Sequence, residues 1–364
     1  MFSGVDQPPP ATLAQALAQA RTRIDALDAQ MLLLHALCRP VHERAWLLAH
    51  DRDALDPAAA ARYAALVERR AAGEPLAYLR GEREFFSLRL QVDARVLDPR
   101  PDTETLVHWA LERLAACPAS SAPVRVLDLG TGSGAIALAL AHAGRDASGR
   151  TVDVSAVDAS TDALAVAAAN AQHLGLPLRL LHGDWFAPLA PGERFALIVS
   201  NPPYIAEGDA HLGALRHEPT MALTSGADGL DALRHIVRGA SAHLQPGGWL
   251  LLEHGWDQAQ AVRELLQATG FNAVQSRHDL AGHARCSGAA GQAPEPARRR
   301  PTPTHAPATR RPHRAETPDR PLPHATPAKN HKPPICLQPA TIRVFTNAEP
   351  APPLPPRRPA PQRQ

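Results

Sequence analysis

No apolar run in this sequence approaches the ~20 residues needed to cross a bilayer. The first residues, Met1-Phe2-Ser3-Gly4-Val5-Asp6, carry neither a basic stretch nor an apolar one. Neither a membrane span nor a secretory leader is therefore expected, and the reading is a soluble, cytoplasmic protein. Cysteine is scarce: Cys38, Cys117, Cys286 and Cys336 stand far apart with no C-x-x-C pair. That spacing argues against a disulfide framework and against a zinc knuckle, and no metal is expected. Lysine is absent before Lys329; with Lys332 it makes up the whole lysine content, so residues 1–288 use arginine alone.

The formal net charge of +2 conceals two opposed segments. Residues 289–364 carry 13 Lys+Arg against 4 Asp+Glu, and 20 of the 37 prolines. Such a segment has too few apolar residues to offset its ordering entropy and is expected to be disordered. Residues 1–288 carry a net charge of −7, a poor basis for gripping a phosphate backbone, so no direct nucleic-acid partner is expected for the folded part.

Residues 1–83 read as a helical domain. Leu13, Leu17, Ala20 and Ile24 recur at helical spacing, Leu27, Met31 and Leu34 form a second apolar face, and Asp56-Pro57 is an N-cap followed by a first-turn proline, with Gly73 closing that helix. Residues 84–97 change texture to the alternation Phe86-Ser87-Leu88-Arg89-Leu90-Gln91-Val92, that of a hairpin linker. From 98 to 288 strands and helices alternate. The strand candidates are 124–129, 152–157, 178–181, 195–200 and 249–253, with helices over 134–143, 160–173, 228–243 and 256–268. This predicts an α/β, doubly wound, mostly parallel sheet, whose ligands bind at the carboxyl ends of the strands.

Four motifs sit at such ends. Asp128-Leu129-Gly130-Thr131-Gly132-Ser133-Gly134 is a G-x-G-x-G turn from strand to helix, where glycines let the backbone approach a ligand. It is neither the G-x-G-x-x-G of dinucleotide binders nor a P-loop. Asp158 ends the next strand, where a carboxylate can accept two ribose hydroxyls or, more blandly, cap the following helix. Asp184 and Trp185 follow the third strand: a carboxylate for an adenine amino group and an apolar wall for its ring, with the main contact left open between them. Finally, Asn201-Pro202-Pro203-Tyr204 follows an apolar strand. Two prolines remove two donors, the Asn201 and Pro202 oxygens are left as acceptors, and Tyr204 adds an aromatic face. Two acceptors beside a flat wall suit a planar group bearing an NH2.

The first motif resembles that of class I S-adenosylmethionine-dependent methyltransferases, and Asn201–Tyr204 resembles the signature of their amino-methylating branch. With Leu76–Gly81, Phe85, Arg100-Pro101-Asp102-Thr103-Glu104-Thr105-Leu106-Val107 and Asp279-Leu280-Ala281-Gly282, residues 10–288 resemble the release factor glutamine methyltransferase family (PrmC/HemK). The resemblance implies a seven-stranded sheet, S-adenosyl-L-methionine as methyl donor, and class 1 peptide chain release factors as protein substrate. The acceptor would be the side-chain amide nitrogen of glutamine in their Gly-Gly-Gln loop, with consequences for translation termination. It further implies that Gly130, Thr131, Gly132, Ser133 and Gly134 cradle the methionine moiety, that Asp158 takes the ribose and that Trp185 covers the adenine. Asn201, Pro202, Pro203 and Tyr204 would hold the glutamine, with Asn201, Pro202 and Tyr204 catalytic and Asn201 also touching the cofactor. Arg100 and Glu104 would lie near the cleft without an assigned role.

Two departures stand out. Asp98 occupies a position that is usually apolar in the family, which is expected to loosen packing at the linker. The family's chains normally stop near Ser287, and a tail of this composition is what a shifted reading frame in GC-rich DNA tends to produce. Alternatives within reach of the same motifs are methylation of a ribosomal-protein glutamine, or of adenine in DNA or RNA. A non-catalytic binding module that keeps the fold is a further alternative.

Overall fold

The computed structural model describes residues 10–118, 122–144 and 152–291. Apart from 289–291, the Pro/Arg-rich tail lies outside the described residues.

The N-terminal helices are α1 (Leu13–Ala20), α2 (Ala26–Ala36), α3 (Arg44–Ala49), α4 (Pro57–Ala71) and α5 (Leu76–Arg80). Their apolar stripes meet in one core of Leu13, Leu17, Leu32, Leu33, Leu47, Tyr63 and Val67, among others. Each fully buried leucine contributes about 1.5–3 kcal/mol relative to exposure. Asp56 caps α4 as its sequence implies, its carboxylate accepting from Ala59 N at 2.9 Å. Past the end of that helix, Gly73 takes φ +95°, a left-handed conformation that glycine adopts without a Cβ penalty.

A hairpin follows, β1 (Glu82–Phe85) with β2 (Leu88–Gln91), paired antiparallel. In β2, Leu88 and Leu90 are buried while Arg89 and Gln91 face solvent. A single 3-10 turn, Pro101–Thr103, then starts α6 (Glu104–Ala115).

The remaining α-helices and strands are β3 (Val124–Leu129), α7 (Ala135–Ala143), β4 (Val152–Asp158), α8 (Thr161–Leu174), β5 (Arg179–His182), β6 (Phe195–Ser200), α9 (Asp231–His243), β7 (Leu244–Glu253), α10 (Ala259–Ala268), β8 (Asn272–His278) and β9 (Ala284–Ala290), with 3-10 turns at Ala210–Leu215 and Thr220–Ala222 between β6 and α9. They form one sheet of seven strands in the order β5-β4-β3-β6-β7-β9-β8. Pairings are parallel as far as β7, and β9 runs antiparallel to both β7 and β8. The central strands β3, β6 and β7 are apolar on both faces because two cores flank them. One is built around Trp109, Val126, Leu138 and Leu251, the other around Leu127, Phe195, Ile198 and Leu252. The chain reverses direction across the sheet between β3 and β6, so the loops after those strands part there and leave a crevice.

The periodicity reading located five of these strands, but not β8 or β9. The seven-stranded count came only through the family resemblance. The final strand also runs through Ala290 with Ala289 fully buried, two residues beyond the boundary drawn at 288.

Asp98 does not loosen the linker as expected. It is buried, with Arg83 Nε at 3.5 Å from Oδ1 and Arg100 Nη1 at 3.6 Å from Oδ2. Its backbone N–H donates to Glu218 Oε2 at 3.2 Å, and Glu218 Oε1 takes Arg100 Nη2 at 2.6 Å. Burial raises the Asp98 pKa, while the two arginines oppose that rise. The cluster ties the linker to the segment after Tyr204. That segment also reaches the helical domain, where Arg216 and His217 donate to the Ala72 carbonyl, His217 Nε2 at 3.2 Å.

Candidate active site

A cleft of about 400 Å³ opens at the carboxyl ends of β3, β4, β5 and β6. Its walls include Gly130 and Gly132, then Asp158, Asp184 and Trp185, then Asn201 and Pro203, with Pro219 and Met221 at one side.

The glycine turn is held from below. Gly130 N and Thr131 N both donate to the Val157 carbonyl, at 2.9 and 3.0 Å. Thr131 Oγ1 donates to Asp128 Oδ2 at 2.7 Å. Asp128 is fully buried, and burial pushes its carboxyl up to about 7, against the pull of the Thr131 hydroxyl and reinforced by Asp158. Gly130, Gly132 and Gly134 take φ of +70°, +55° and +82°. A Cβ on Gly132 would meet nothing within 4 Å, whereas one on Gly134 would press on Leu138 Cδ1 at 3.1 Å and Ala167 Cβ at 3.3 Å. The turn therefore has two faces. Gly130 and Gly132 border the cleft, while Thr131, Ser133 and Gly134 turn into the protein and support it.

Asp158 accepts from Gly132 N at 2.8 Å and from Ser160 N at 2.9 Å, one oxygen each. The cap of α8 is Ser160, whose Oγ accepts from Ala163 N at 3.1 Å. Helix capping thus does not occupy Asp158, and its carboxylate remains on the cleft wall. Asp184 and Trp185 both border the cleft; Trp185 takes φ +45°, and its Cζ3 stands 3.7 Å from where a Gly130 Cβ would be.

Of the Asn201–Tyr204 segment, Asn201 and Pro203 border the cleft, Pro202 is buried, and the half-buried Tyr204 packs on the second core. The Tyr204 carbonyl accepts from Gln258 Nε2 at 2.9 Å. Asn201 Nδ2 donates to Thr103 Oγ1 at 3.2 Å. Burial raises the Tyr204 hydroxyl pKa, with the nearby Glu253 carboxyl adding to it. Arg100 holds Glu218, as described above. Glu104 Oε1 accepts from Phe86 N at 2.9 Å at the hairpin tip, so Glu104 acts on the hairpin.

The N-terminal helical segment, residues 11–81, matches the PrmC N-terminal domain, and residues 111–218 match the methyltransferase small domain. A release factor glutamine methyltransferase of Bordetella pertussis is 53% identical over 264 residues, covering 72% of this chain and 93% of the relative. This chain belongs to the release factor glutamine methyltransferase family. The Burkholderia pseudomallei release factor glutamine methyltransferase is 52% identical over 290 residues, covering 78% of this chain and 97% of its own. A solved protein-(glutamine-N5) methyltransferase (release factor-specific) from Alicyclobacillus acidocaldarius shares 31% identity over 53% of this chain and 94% of its own, at a TM-score of 0.34.

Sequence reasoning gave no role to three residues that this family member's fold brings to the site. Thr103 holds Asn201 from the start of α6. Asn170, fully buried in α8, joins the glycine turn to the hairpin. Glu253 ends β7, 1% exposed, beside Thr103 and Tyr204. Glu253 was legible by the same rule that singled out Asp158, a carboxylate at the carboxyl end of an apolar strand. No local pattern marks Thr103 or Asn170, because their partners are remote in sequence.

Proposed function

We propose that this chain transfers a methyl group from S-adenosyl-L-methionine to the side-chain amide nitrogen of the glutamine in the Gly-Gly-Gln loop of class 1 peptide chain release factors. It thereby tunes translation termination in the cytoplasm. The observation that carries the reading is Asn201 at the cleft wall with its NH2 end donated to Thr103, an arrangement that leaves Oδ1 as an acceptor for a planar NH2.

The residues of the cleft fit the cofactor. Gly132 leaves open space where a side chain would stand, suited to the methionine part. Asp158 is held by two backbone N–H groups with lone pairs remaining for ribose hydroxyls, a charge-assisted contact. Trp185, with Asp184, supplies the adenine wall. When bound, the cofactor supplies an electrophilic methyl on sulfonium sulfur, which is the hard part of the chemistry.

The chain's own residues position the acceptor. An amide nitrogen is a poor nucleophile because its lone pair is delocalised into the carbonyl. Asn201 Oδ1 and the Pro202 carbonyl each accept one N–H of the glutamine, fixing its orientation and stabilising positive charge as it develops on nitrogen. With the donor bound, its S–C bond would break as the N–C bond forms, and the proton that the nitrogen then sheds would pass to water. No strong base is required beforehand, since the proton becomes acidic only as the bond forms. Tyr204 bounds the glutamine side chain, and Pro203 completes its pocket.

In this reading residues 1–83 form a substrate-docking domain, 84–97 a hairpin linker and 98–288 the transferase domain. The test is incubation with labelled S-adenosyl-L-methionine and either a release factor or duplex DNA. Label in the release factor, lost in Asn201→Ala, supports the proposal; label in DNA alone overturns it.

A further inference from the structure

Arg100 takes no part in the scheme above, yet it joins two pieces of backbone that wall the cleft. One is the linker, which contributes Arg95 and Leu97; the other is the segment after Tyr204, which contributes Pro219, Met221 and Ala222. Arg100 Nη2 donates to Glu218 Oε1 at 2.6 Å, and Asp98 N donates to Glu218 Oε2 at 3.2 Å. The bonded residues are chain neighbours of the wall: Leu97 precedes Asp98, and Pro219 follows Glu218. The Glu218 side chain is 3% exposed, so water competes little for either bond.

Each piece is anchored a second time. The Tyr78 hydroxyl donates to the Val96 carbonyl, next to Leu97. Ile205 N donates to the Leu223 carbonyl and Ser225 N to the Ile205 carbonyl, both at 2.9 Å. Residues 219–222 therefore run from the Glu218 tie to a backbone pairing beside Tyr204. Met221, in the middle, is 58% exposed, so packing does little to place it and its position depends on the two anchors. Arg83 and Asp98 complete the group around the tie, two cations with two anions. Removing one member leaves a charge without its counter-charge.

We infer that Arg100 and Glu218 are positioning residues for the methyl donor: their bond fastens the linker to the segment after Tyr204 and so holds Pro219 and Met221 as one wall of the cofactor cleft. This rests on the reading that the cleft takes S-adenosyl-L-methionine, and it adds a part of the site that lies outside the four strand-end motifs.

The test measures S-adenosyl-L-methionine Kd by calorimetry on the full chain, and kcat with a release factor as acceptor. The variants are Glu218→Gln, Arg100→Met, Arg100→Lys, Met221→Ala and the Glu218→Gln/Met221→Ala double. A carboxamide has one acceptor oxygen where Glu218 uses two, and methionine removes the guanidinium. Glu218→Gln and Arg100→Met should each raise Kd by roughly ten- to a hundredfold, the worth of a hydrogen bond to a charged group. At saturating cofactor kcat should stay within about threefold, because Asn201 and Pro202 are untouched. Arg100→Lys keeps the charge without the fork and should fall between wild type and Arg100→Met. Met221→Ala should also raise Kd, and the double variant should bind no worse than the weaker single one, since both act through the same wall. Leu47→Ala, a cavity in the helical core, is the control for destabilisation alone and should leave Kd within about twofold.

The inference is overturned if folded Glu218→Gln and Arg100→Met keep the wild-type Kd, if their loss lies in kcat instead, or if Leu47→Ala weakens binding as much. It is equally overturned if Met221→Ala binds as wild type or if the Glu218 and Met221 losses multiply. Should Glu218→Gln not fold, the Met and Lys pair at position 100 decides the matter. A wild-type chain that binds no S-adenosyl-L-methionine overturns the methylation reading instead, a distinct result.

Discussion

Asn170 Nδ2 donates to the Ser133 carbonyl at 2.9 Å, joining residues 37 positions apart. The same NH2 donates to the Gln91 carbonyl at 3.0 Å, and Asn170 Oδ1 accepts from Gln91 N at 2.7 Å. One fully buried carboxamide on α8 therefore couples the glycine turn to the hairpin that leads to the helical domain. Asn170→Ala leaves three backbone groups without this partner and should cost about 2–4 kcal/mol of stability. Asn170→Asp should do no better, since a carboxylate cannot donate to either carbonyl. Urea denaturation would measure the loss. A wild-type midpoint for both variants would show that the clamp is dispensable.

The two ends of the cleft should separate kinetically. Asn201→Ala removes an acceptor needed as charge develops on the nucleophile, and kcat should fall on the order of 10²–10³-fold with cofactor affinity little changed. Asp158→Ala should do the reverse and weaken cofactor binding by roughly ten- to a hundredfold. Calorimetric Kd alongside single-turnover rates distinguishes the two. Equal effects of both variants on both quantities would contradict the assignment.

The glycines of the turn are predicted to fail for different reasons. At Gly134 a methyl group presses on Leu138 and Ala167 at φ +82°, so Gly134→Ala should lower stability by about 2–4 kcal/mol from strain and overpacking together. At Gly132 the methyl group points into open cleft, so Gly132→Ala adds only the left-handed backbone cost of about 1–2 kcal/mol and should mainly reduce cofactor affinity. Thermal melting with and without cofactor would separate the two. A cofactor-induced Tm shift of wild-type size in Gly132→Ala would refute the placement of the ligand.

Asp128 makes stability pH-dependent with a definite sign. Its folded pKa, about 7, lies above that of the unfolded chain, so the native state holds more protons between roughly pH 4 and 7. This contribution is fully present below pH 4 and is lost as pH rises through about 7. Glu253, also raised by burial to about 7, adds in the same direction. Asp128→Asn should flatten the decline between roughly pH 4 and 7 seen in denaturant titrations. An unchanged slope would mean that the carboxyl is ionised in the fold.

The sequence by itself determined the strand–turn–helix order, the cap at Asp56 and the placing of four motifs just after β3, β4, β5 and β6. These are encoded by side-chain periodicity, prolines and glycines within a few residues of each other. It could not disclose β8, an edge strand whose exposed polar residues leave no alternation to read, nor the fate of Asp98, which depends on Arg83, Arg100 and Glu218 converging from separate segments. The tertiary structure alone decided that Asn201 meets Thr103, 98 residues away, that Asn170 meets Ser133 and that Glu253 lies behind them. Strand order and crossovers choose such neighbours, and hydrogen bonds of a few ångströms form only after the sheet has brought the segments together.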